Sequence, residues 1–462
     1  MITPAAIDAQ AARSQGFALH AEQRLIEAEA VFAAASAAHP ADPGLAFGLA
    51  QTRYELGYPA ADLFARVRQL APDNLDVARN HALALMSEGH VAAARALLEP
   101  MLAQRPDWLD GHKALATLGW TSGNQQGFAD HLGLACRAQP DNPALWLAWF
   151  RNLAQAREWQ AAYEVLDEAE RHLGATLALL VSRLFLATES GDAALAEVLL
   201  DATAAIKGDV TSLCRIRHAL RQGDGRRAEA EALPLTASRS ASLYWPYLSL
   251  AWRLLGDERA DWLDRPGQLI RQSEAGWCPA ELAELAEVLR GLHAMAQPYI
   301  EQSVRGGTQT DRSVLLRHEP VLQRIKTRLL ELLRDYVDGL PATDPNHPLL
   351  GAPRGELLIE GSWSVRLARQ GYNVPHTHAM GWLSTAFYVA LPSADQLGPA
   401  PAGHIAFGQP PAELGLPLEP YCTIAPTLGR LAIFPSTMWH STVPFDDGER
   451  LVIAFDIRRP RR

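Results

Sequence analysis

Near the C-terminal end, His376 and His378 flank Thr377 in Pro375-His376-Thr377-His378. A third histidine, His440, closes the run Phe434-Pro435-Ser436-Thr437-Met438-Trp439-His440. In a strand, residues i and i+2 point to the same face, so His376 and His378 can reach one metal ion. An imidazole delivered by His440 from a later strand would complete one face of an octahedron. Neutral imidazole suits iron, zinc, copper or nickel, so ligand type alone does not choose the metal. The plainer alternative is surface or core histidines held in ordinary hydrogen bonds.

Arg450 follows His440 by ten residues and opens the alternating apolar run Arg450-Leu451-Val452-Ile453-Ala454-Phe455. At the head of such a strand an arginine points either to solvent or into the fold. Inside, its planar guanidinium would grip a carboxylate in a bidentate pair. A 2-oxo acid chelating a metal at one end and held by arginine at the other would bridge the two groups. On the surface, Arg450 would instead pair with Asp446, Asp447 or Glu449.

These residues need a frame. A chain of 462 residues is too long for one hydrophobic core, so two or three domains are expected. No run of eighteen apolar residues predicts a membrane span. The opening segment Met1-Ile-Thr-Pro-Ala-Ala-Ile-Asp-Ala-Gln10 lacks the basic-then-apolar order of a signal peptide. Cys136, Cys214, Cys278 and Cys422 form no CxxC pair, which suits a reducing cytoplasm and argues against a thiolate metal site. A net charge of −10 disfavours a nucleic-acid surface, and the basic tail Arg458-Arg459-Pro460-Arg461-Arg462 reads as a solvated end.

A repeat fills the first half. Gly57, Gly89, Gly123, Gly191 and Gly223 recur at intervals of 32, 34, 68 and 32, with Arg157 at the position the 68 skips. Pro40, Pro72, Pro106 and Pro140 run in phase, and the last three precede Asp. Glycine permits a tight turn between two helices, and Pro-Asp ends the second helix and starts the next. One such pair cannot bury its apolar stripe alone, so pairs must stack. A first repeat is expected around Gln23, ahead of Arg24 to Phe32, and a last one near Gly256. The pattern, over about residues 5 to 260, resembles tetratricopeptide repeats.

Beyond about residue 285 the Ala-rich repeats stop. Pro298 to Thr310, with its Gly-Gly, reads as a loop, and Pro320 to Tyr336 as a long amphipathic helix. From Glu356 short strand-like runs appear at Ser362, Leu383, His404, Gly429 and Arg450, separated by Gly and Pro turns. Many short strands with turn punctuation predict a sandwich or jelly roll. The expected organisation is a helical repeat domain at 1–260, connecting helices and loop at 261–355, and an all-β core at 356–462. The fold class is therefore α + β multidomain, a solenoid followed by a jelly roll with flanking helices.

His376-x-His378, Phe434-Pro-Ser-x-x-x-His440 and Arg450 resemble the iron- and 2-oxoglutarate-dependent dioxygenases. More narrowly they look like a bacterial branch often fused to tetratricopeptide repeats. The segment Glu301 to Thr310 and the strand at Leu383 to Val389 also fit that branch, and the likeness spans about residues 290 to 460. The resemblance implies a double-stranded β-helix with Fe(II) in its mouth, 2-oxoglutarate and O2 as co-substrates, and hydroxylation of an unactivated C–H bond. It implies that His376 and His440 bind iron and that Arg450 anchors 2-oxoglutarate.

One departure stands out. The common triad of that superfamily is His-x-Asp/Glu…His, and His378 occupies the carboxylate's place. His378 is therefore either a third ligand, the reading preferred here, or a neighbour of a two-histidine centre. Tyr372, Asn373, Ser384 and Tyr388 could hydrogen-bond 2-oxoglutarate or merely satisfy backbone groups. Arg305 and Gln309 could line a substrate entrance or clamp a turn; Trp382 and Trp439 read as packing residues.

The repeats would recruit a peptide or protein substrate. Alternatively they only shape, cap or dimerise the catalytic part, leaving a small-molecule substrate or a homodimer as the arrangement. A cupin-like metalloenzyme also begins with HxH, but no Glu follows His378 within five residues. A non-catalytic adaptor with a decayed oxygenase domain is the weakest alternative, since all three histidines and the arginine are present.

Overall fold

The computed structural model describes residues 7–274 and 276–461. The first six residues of the opening segment and Arg462 of the basic tail lie outside them. The chain divides into two compact units.

The first unit runs to Leu145 and adds Ala294–Tyr299 and Arg312–Ile325. It is built on helices α1 (Ala9–Ala21), α2 (Leu25–Ala38), α3 (Pro43–Glu55), α4 (Ala61–Leu70), α5 (Leu75–Ser87), α6 (Val91–Gln104), α7 (Leu109–Thr121) and α8 (Asp130–Ala138). The turns inside pairs pass through left-handed backbone at Gln23, Gly57, Gly89 and Gly123, with φ of 60°, 85°, 81° and 90°. Second helices end at His39, Ala71, Arg105 and Gln139, whose ψ values of 66–70° carry the chain out of the helical region. Each of these precedes the in-phase proline, whose ring disfavours helix in the residue before it. Phe32 fills the first core because Gly16 and Gly48 have no side chain; a Cβ on either would meet its ring at 2.4–2.5 Å.

The second unit holds Trp146–His293, Ile300–Asp311 and Lys326–Arg462. The pairs continue through α9 (Pro143–Gln155), α10 (Trp159–Leu173), α11 (Leu177–Ser190), α12 (Ala193–Ala202), α13 (Asp209–Arg221), α14 (Gly225–Ala232) and α15 (Trp245–Leu255). Arg157, Gly191, Gly223 and Gly256 again carry positive φ, at 61°, 87°, 71° and 66°. Short helices α16 (Arg259–Asp264) and α17 (Pro266–Leu269) precede α18 (Pro279–Leu292) and α19 (Pro320–Asp338), the last being the helix expected from Pro320.

Among the described residues, nine strands follow an antiparallel pattern: β1 (Arg271–Glu274), β2 (Val304–Gln309), β3 (Ile359–Asn373), β4 (Gly381–Ala390), β5 (Ile405–Phe407), β6 (Cys422–Ile424), β7 (Arg430–Pro435), β8 (His440–Thr442) and β9 (Arg450–Arg458). They form a six-stranded sheet, β1-β7-β4-β9-β3-β2, and a three-stranded sheet, β6-β5-β8. This is the jelly roll. Strand β2 corrects the expectation of a loop at Pro298–Thr310. Its Gly-Gly serves a bulge between Arg305 and Gly307. There β3 comes so near that a Cβ on Gly307 would lie 2.2 Å from the Arg366 carbonyl. Strand β1, unanticipated, edges the larger sheet through β7.

Alternation sorts the larger sheet into two faces. Ala386, Tyr388, Ala432 and Val452 cluster on one, and Arg450 and Asp456 share that face of β9. On the opposite face Phe387 meets Trp277, ring centres 5.7 Å apart. The helical pairs grip the roll from α15: Trp439 donates its indole N–H to Pro246 O at 2.9 Å and packs edge-on against Tyr247. Trp439 thus packs, as expected, and so does Trp382, which donates to Leu349 O.

Candidate metal centre

His376 and His378 lie between β3 and β4, in extended chain rather than inside a regular strand as the spacing predicts. Backbone hydrogen bonds replace the strand. His376 and His440 exchange N–H···O bonds at 3.0 Å in both directions, and His378 N donates to Ser436 O at 2.9 Å. The HxH segment is thereby pinned to the β7–β8 turn.

One nitrogen from each of His376, His378 and His440 lies within 4.8 Å of the others. The other nitrogen of each ring is taken. His376 Nδ1 is 2.7 Å from Val374 O and His440 Nδ1 is 3.0 Å from Met438 O. His378 Nδ1 is 2.7 and 2.8 Å from the two oxygens of Asp456. A carbonyl or carboxylate at Nδ1 holds the proton there and leaves Nε2 bare, the tautomer a metal needs. Burial, with His378 nearby, pushes His376 down to about 3. Burial, then His376 and His378, holds His440 well below the usual imidazole range. These two rings are therefore neutral at ordinary pH, as ligation requires.

The surroundings fix the geometry further. Ser384 donates to Asp456 at 2.6 Å and sits 2.9 Å from Ser436 Oγ. Gly381 leaves room for this, since a Cβ there would fall 2.4 Å from Ser436 Oγ. Trp363 and Phe434 wall the cluster, with ring centres 5.4 Å from His378 and 4.7 Å from His440. Asn373 donates to Ser303 at 2.9 Å, and Ser303 Oγ lies 3.4 Å from His376 Nε2.

Arg450 points into the roll and is 3% exposed. The acids beside it in sequence are engaged elsewhere: Glu449 with Arg290 and Arg366, Asp447 with Arg369. The guanidinium lies 5.2 Å from the centre of the Tyr388 ring. Arg450 Nε and Tyr388 Oη are buried without a hydrogen-bond partner among the described residues.

Residues 361–456 match the family model described as "Putative 2OG-Fe(II) oxygenase". The C-terminal domain is a 2-oxoglutarate- and Fe(II)-dependent oxygenase. Its chemistry uses Fe(II), 2-oxoglutarate and O2, and the larger fold is that oxygenase domain joined to tetratricopeptide-like helical repeats. A Pseudomonas putida prolyl-4-hydroxylase structure is similar at 15% identity and TM-score 0.29, over 42% of this chain and 94% of that one. HygX from Streptomyces hygroscopicus, solved with nickel and 2-oxoglutarate, is similar at 11% identity and TM-score 0.29, over 42% and 85%. A tetratricopeptide repeat protein from Parabacteroides merdae is similar at 13% identity and TM-score 0.34, over 53% and 98%. A sequence search of curated proteins finds no match. No helix among the described residues is long and apolar enough to cross a membrane.

The residues of the oxygenase domain fit its cofactors. Three converging imidazoles suit Fe(II). A carboxylate between Arg450 and Tyr388 would satisfy both orphaned polar atoms. Of the other sequence candidates, Ser384 is occupied by Asp456, and Asn373 reaches the cluster through Ser303. Tyr372 pairs across the sheet with Arg305. Arg305 donates to Gln302 O and Val304 O, clamping its own turn, and Gln309 sits opposite Val365. Sequence reasoning missed Asp456, Ser436 and Ser303. Only Asp456 left a trace, as a charge in phase with Arg450 on an otherwise apolar strand.

Proposed function

We propose that His376, His378 and His440 bind Fe(II), that Arg450 with Tyr388 anchors the far carboxylate of 2-oxoglutarate, and that the enzyme hydroxylates a peptide or protein. The convergence of three imidazoles whose Nδ1 atoms are already engaged carries this reading. Bound Fe(II), with 2-oxoglutarate and O2, supplies the oxidising power to insert oxygen into a C–H bond, releasing CO2 and succinate.

The chain's own part is positional. Asp456 holds the His378 proton at Nδ1, and the His376–His440 backbone pair keeps two rings at one height. Trp363 and Phe434 flank the imidazole cluster. Arg450, with its planar fork of donors, would hold and orient the far carboxylate of the co-substrate. Stacked helix pairs support a peptide substrate, because a repeating surface suits an extended chain.

An anaerobic titration of metal-free protein with Fe(II), then 2-oxoglutarate, tests the centre through the weak visible metal-to-ligand charge-transfer band. The band is expected in the wild type and absent in His440→Ala. Metal bound with no band would sink the oxygenase site. Peptide hydroxylation is tested by mass spectrometry of candidate peptides for the gain of one oxygen, dependent on 2-oxoglutarate.

A further inference from the structure

One serine beside the histidine cluster is held from several sides. Ser303 directly precedes β2, opposite the end of β3, where Val374 N donates to Ser303 O at 2.9 Å. Arg305 Nη1 donates to the carbonyls on either side, Gln302 O at 2.9 Å and Val304 O at 2.8 Å. The side chain is fixed as well. Asn373 Nδ2 lies 2.9 Å from Ser303 Oγ, and Thr442 Oγ1 lies 3.4 Å from Asn373 Oδ1. Thr442 comes from β8, two residues after His440. Only the direction of the serine proton is left to settle.

That direction follows from which groups can donate. Two carbonyls stand near the His376 ring. Val374 O takes the ring's hydrogen bond, from Nδ1 at 2.7 Å, while His440 O already accepts from His376 N. Burial keeps the ring neutral, so a proton on Nδ1 leaves Nε2 as a lone pair. Ser303 Oγ, 3.4 Å from that lone pair, must donate to it. The serine oxygen then accepts from Asn373, and the amide oxygen accepts from Thr442. Reversing the amide would draw the serine proton away from His376. Ser303, Asn373 and His376 each keep part of their surface in solvent, which a series sealed in the core would not.

Once Nε2 is given to a metal, the Ser303 proton needs another acceptor close by. We infer that this acceptor is the chelating end of 2-oxoglutarate, so that Ser303 contacts the co-substrate and Asn373 positions Ser303. A carboxylate beside a 2-oxo group only accepts, which suits a lone hydroxyl donor. The assignment rests on the iron and 2-oxoglutarate site proposed above. It adds a contact at the opposite end of the co-substrate from Arg450.

The full chain, freed of metal and kept anaerobic, is titrated with Fe(II) and then with 2-oxoglutarate. A chelating dye reads Fe(II) affinity, and the visible charge-transfer band reads the co-substrate on the metal. Ser303→Ala should bind 2-oxoglutarate about ten-fold more weakly and shift the band, with Fe(II) affinity unchanged. Ser303→Thr keeps the hydroxyl and should restore both. Asn373→Leu should cost part of that factor alone and nothing further when added to Ser303→Ala, because it acts through the serine. Three results would each overturn the inference: unchanged 2-oxoglutarate affinity in Ser303→Ala, a loss of Fe(II) affinity by the same factor, or additive losses in the double variant. In those cases the wild type still shows its band. A wild type that binds Fe(II) and shows none removes the proposed site itself, and this contact with it.

Discussion

Both carboxylate oxygens of Asp456 lie within 2.8 Å of His378 Nδ1. Where the common triad has a carboxylate, this chain has His378, with the Asp456 carboxylate behind its ring. The negative charge has moved one side chain outward. Asp456→Ala should therefore lower Fe(II) affinity about 10–100-fold, the usual cost of removing a partner behind a ligand. Competition titration with a chelating dye checks it; unchanged affinity would refute the orienting role.

The same pair predicts an order of rescue. His378→Asp alone sets two carboxylates against each other and should bind Fe(II) poorly. Adding Asp456→Asn removes the repulsion, and the double variant should recover affinity over the single one. If the single variant already matches wild type, Asp456 does not face that position as charge.

At the co-substrate end, Arg450→Lys keeps the charge but loses the fork. We expect about a hundred-fold weaker 2-oxoglutarate binding, roughly 2.7 kcal/mol. Tyr388→Phe, which removes one orphaned hydroxyl, should cost about ten-fold. Fe(II) affinity without co-substrate should not move in either variant, which the same dye assay can establish.

A pH effect arises outside the histidine cluster. His347 is 2% exposed; its Nε2 donates to Leu263 O, and its Nδ1 accepts the N–H groups of Leu349 and Leu350. Burial pushes it down to about 4 from an ordinary 6.5. Between these values the unfolded chain binds more protons, so stability rises with pH. The contribution is complete above about 6.5 and disappears as pH falls through about 4, on the order of 3 kcal/mol in all. Asp264, pushed up to about 6 by burial, acts with the opposite sign, so the comparison must be against His347→Asn. Urea denaturation at several pH values should show a shallower rise for the variant.

Gln23 occupies a left-handed turn, φ 60°, that glycine fills in most other repeats. Gln23→Gly should relieve the clash of its Cβ and stabilise the α1–α2 pair by about 0.5–1 kcal/mol. Slower amide exchange across those two helices is the expected reading; faster exchange would mean the glutamine side chain contributes more than its backbone costs.

Gln23 and Arg157 also show how the repeat could be read from sequence. The period predicted a turn at both positions, and the backbone obeys the period although neither residue prefers that conformation. Spacing outweighed residue type because each turn is fixed by two packed helices. The three histidines and Arg450 were legible for a similar reason: few roles suit such residues among apolar strands. What stayed hidden was made by tertiary approach. Gly306-Gly307 signals a turn locally, yet becomes a bulged strand because β3 lies against it. Ser303 and Ser436 reach the cluster from loops, and nothing in their neighbours sets them apart from solvent-facing serines. Asp456 was hidden by its late position in β9, although its phase with Arg450 held the clue.

That phase has a consequence for how the enzyme fails. Arg450 and Asp456 sit six residues apart on one face of one interior strand, flanked by β4 and β3. A slip of one residue would turn both away together and present Leu451 and Ile457 instead. In the function proposed here, metal clamp and co-substrate anchor therefore share a single point of failure. A chain whose last strand has not seated should be inert, not a half-built catalyst that consumes 2-oxoglutarate and oxygen to no purpose.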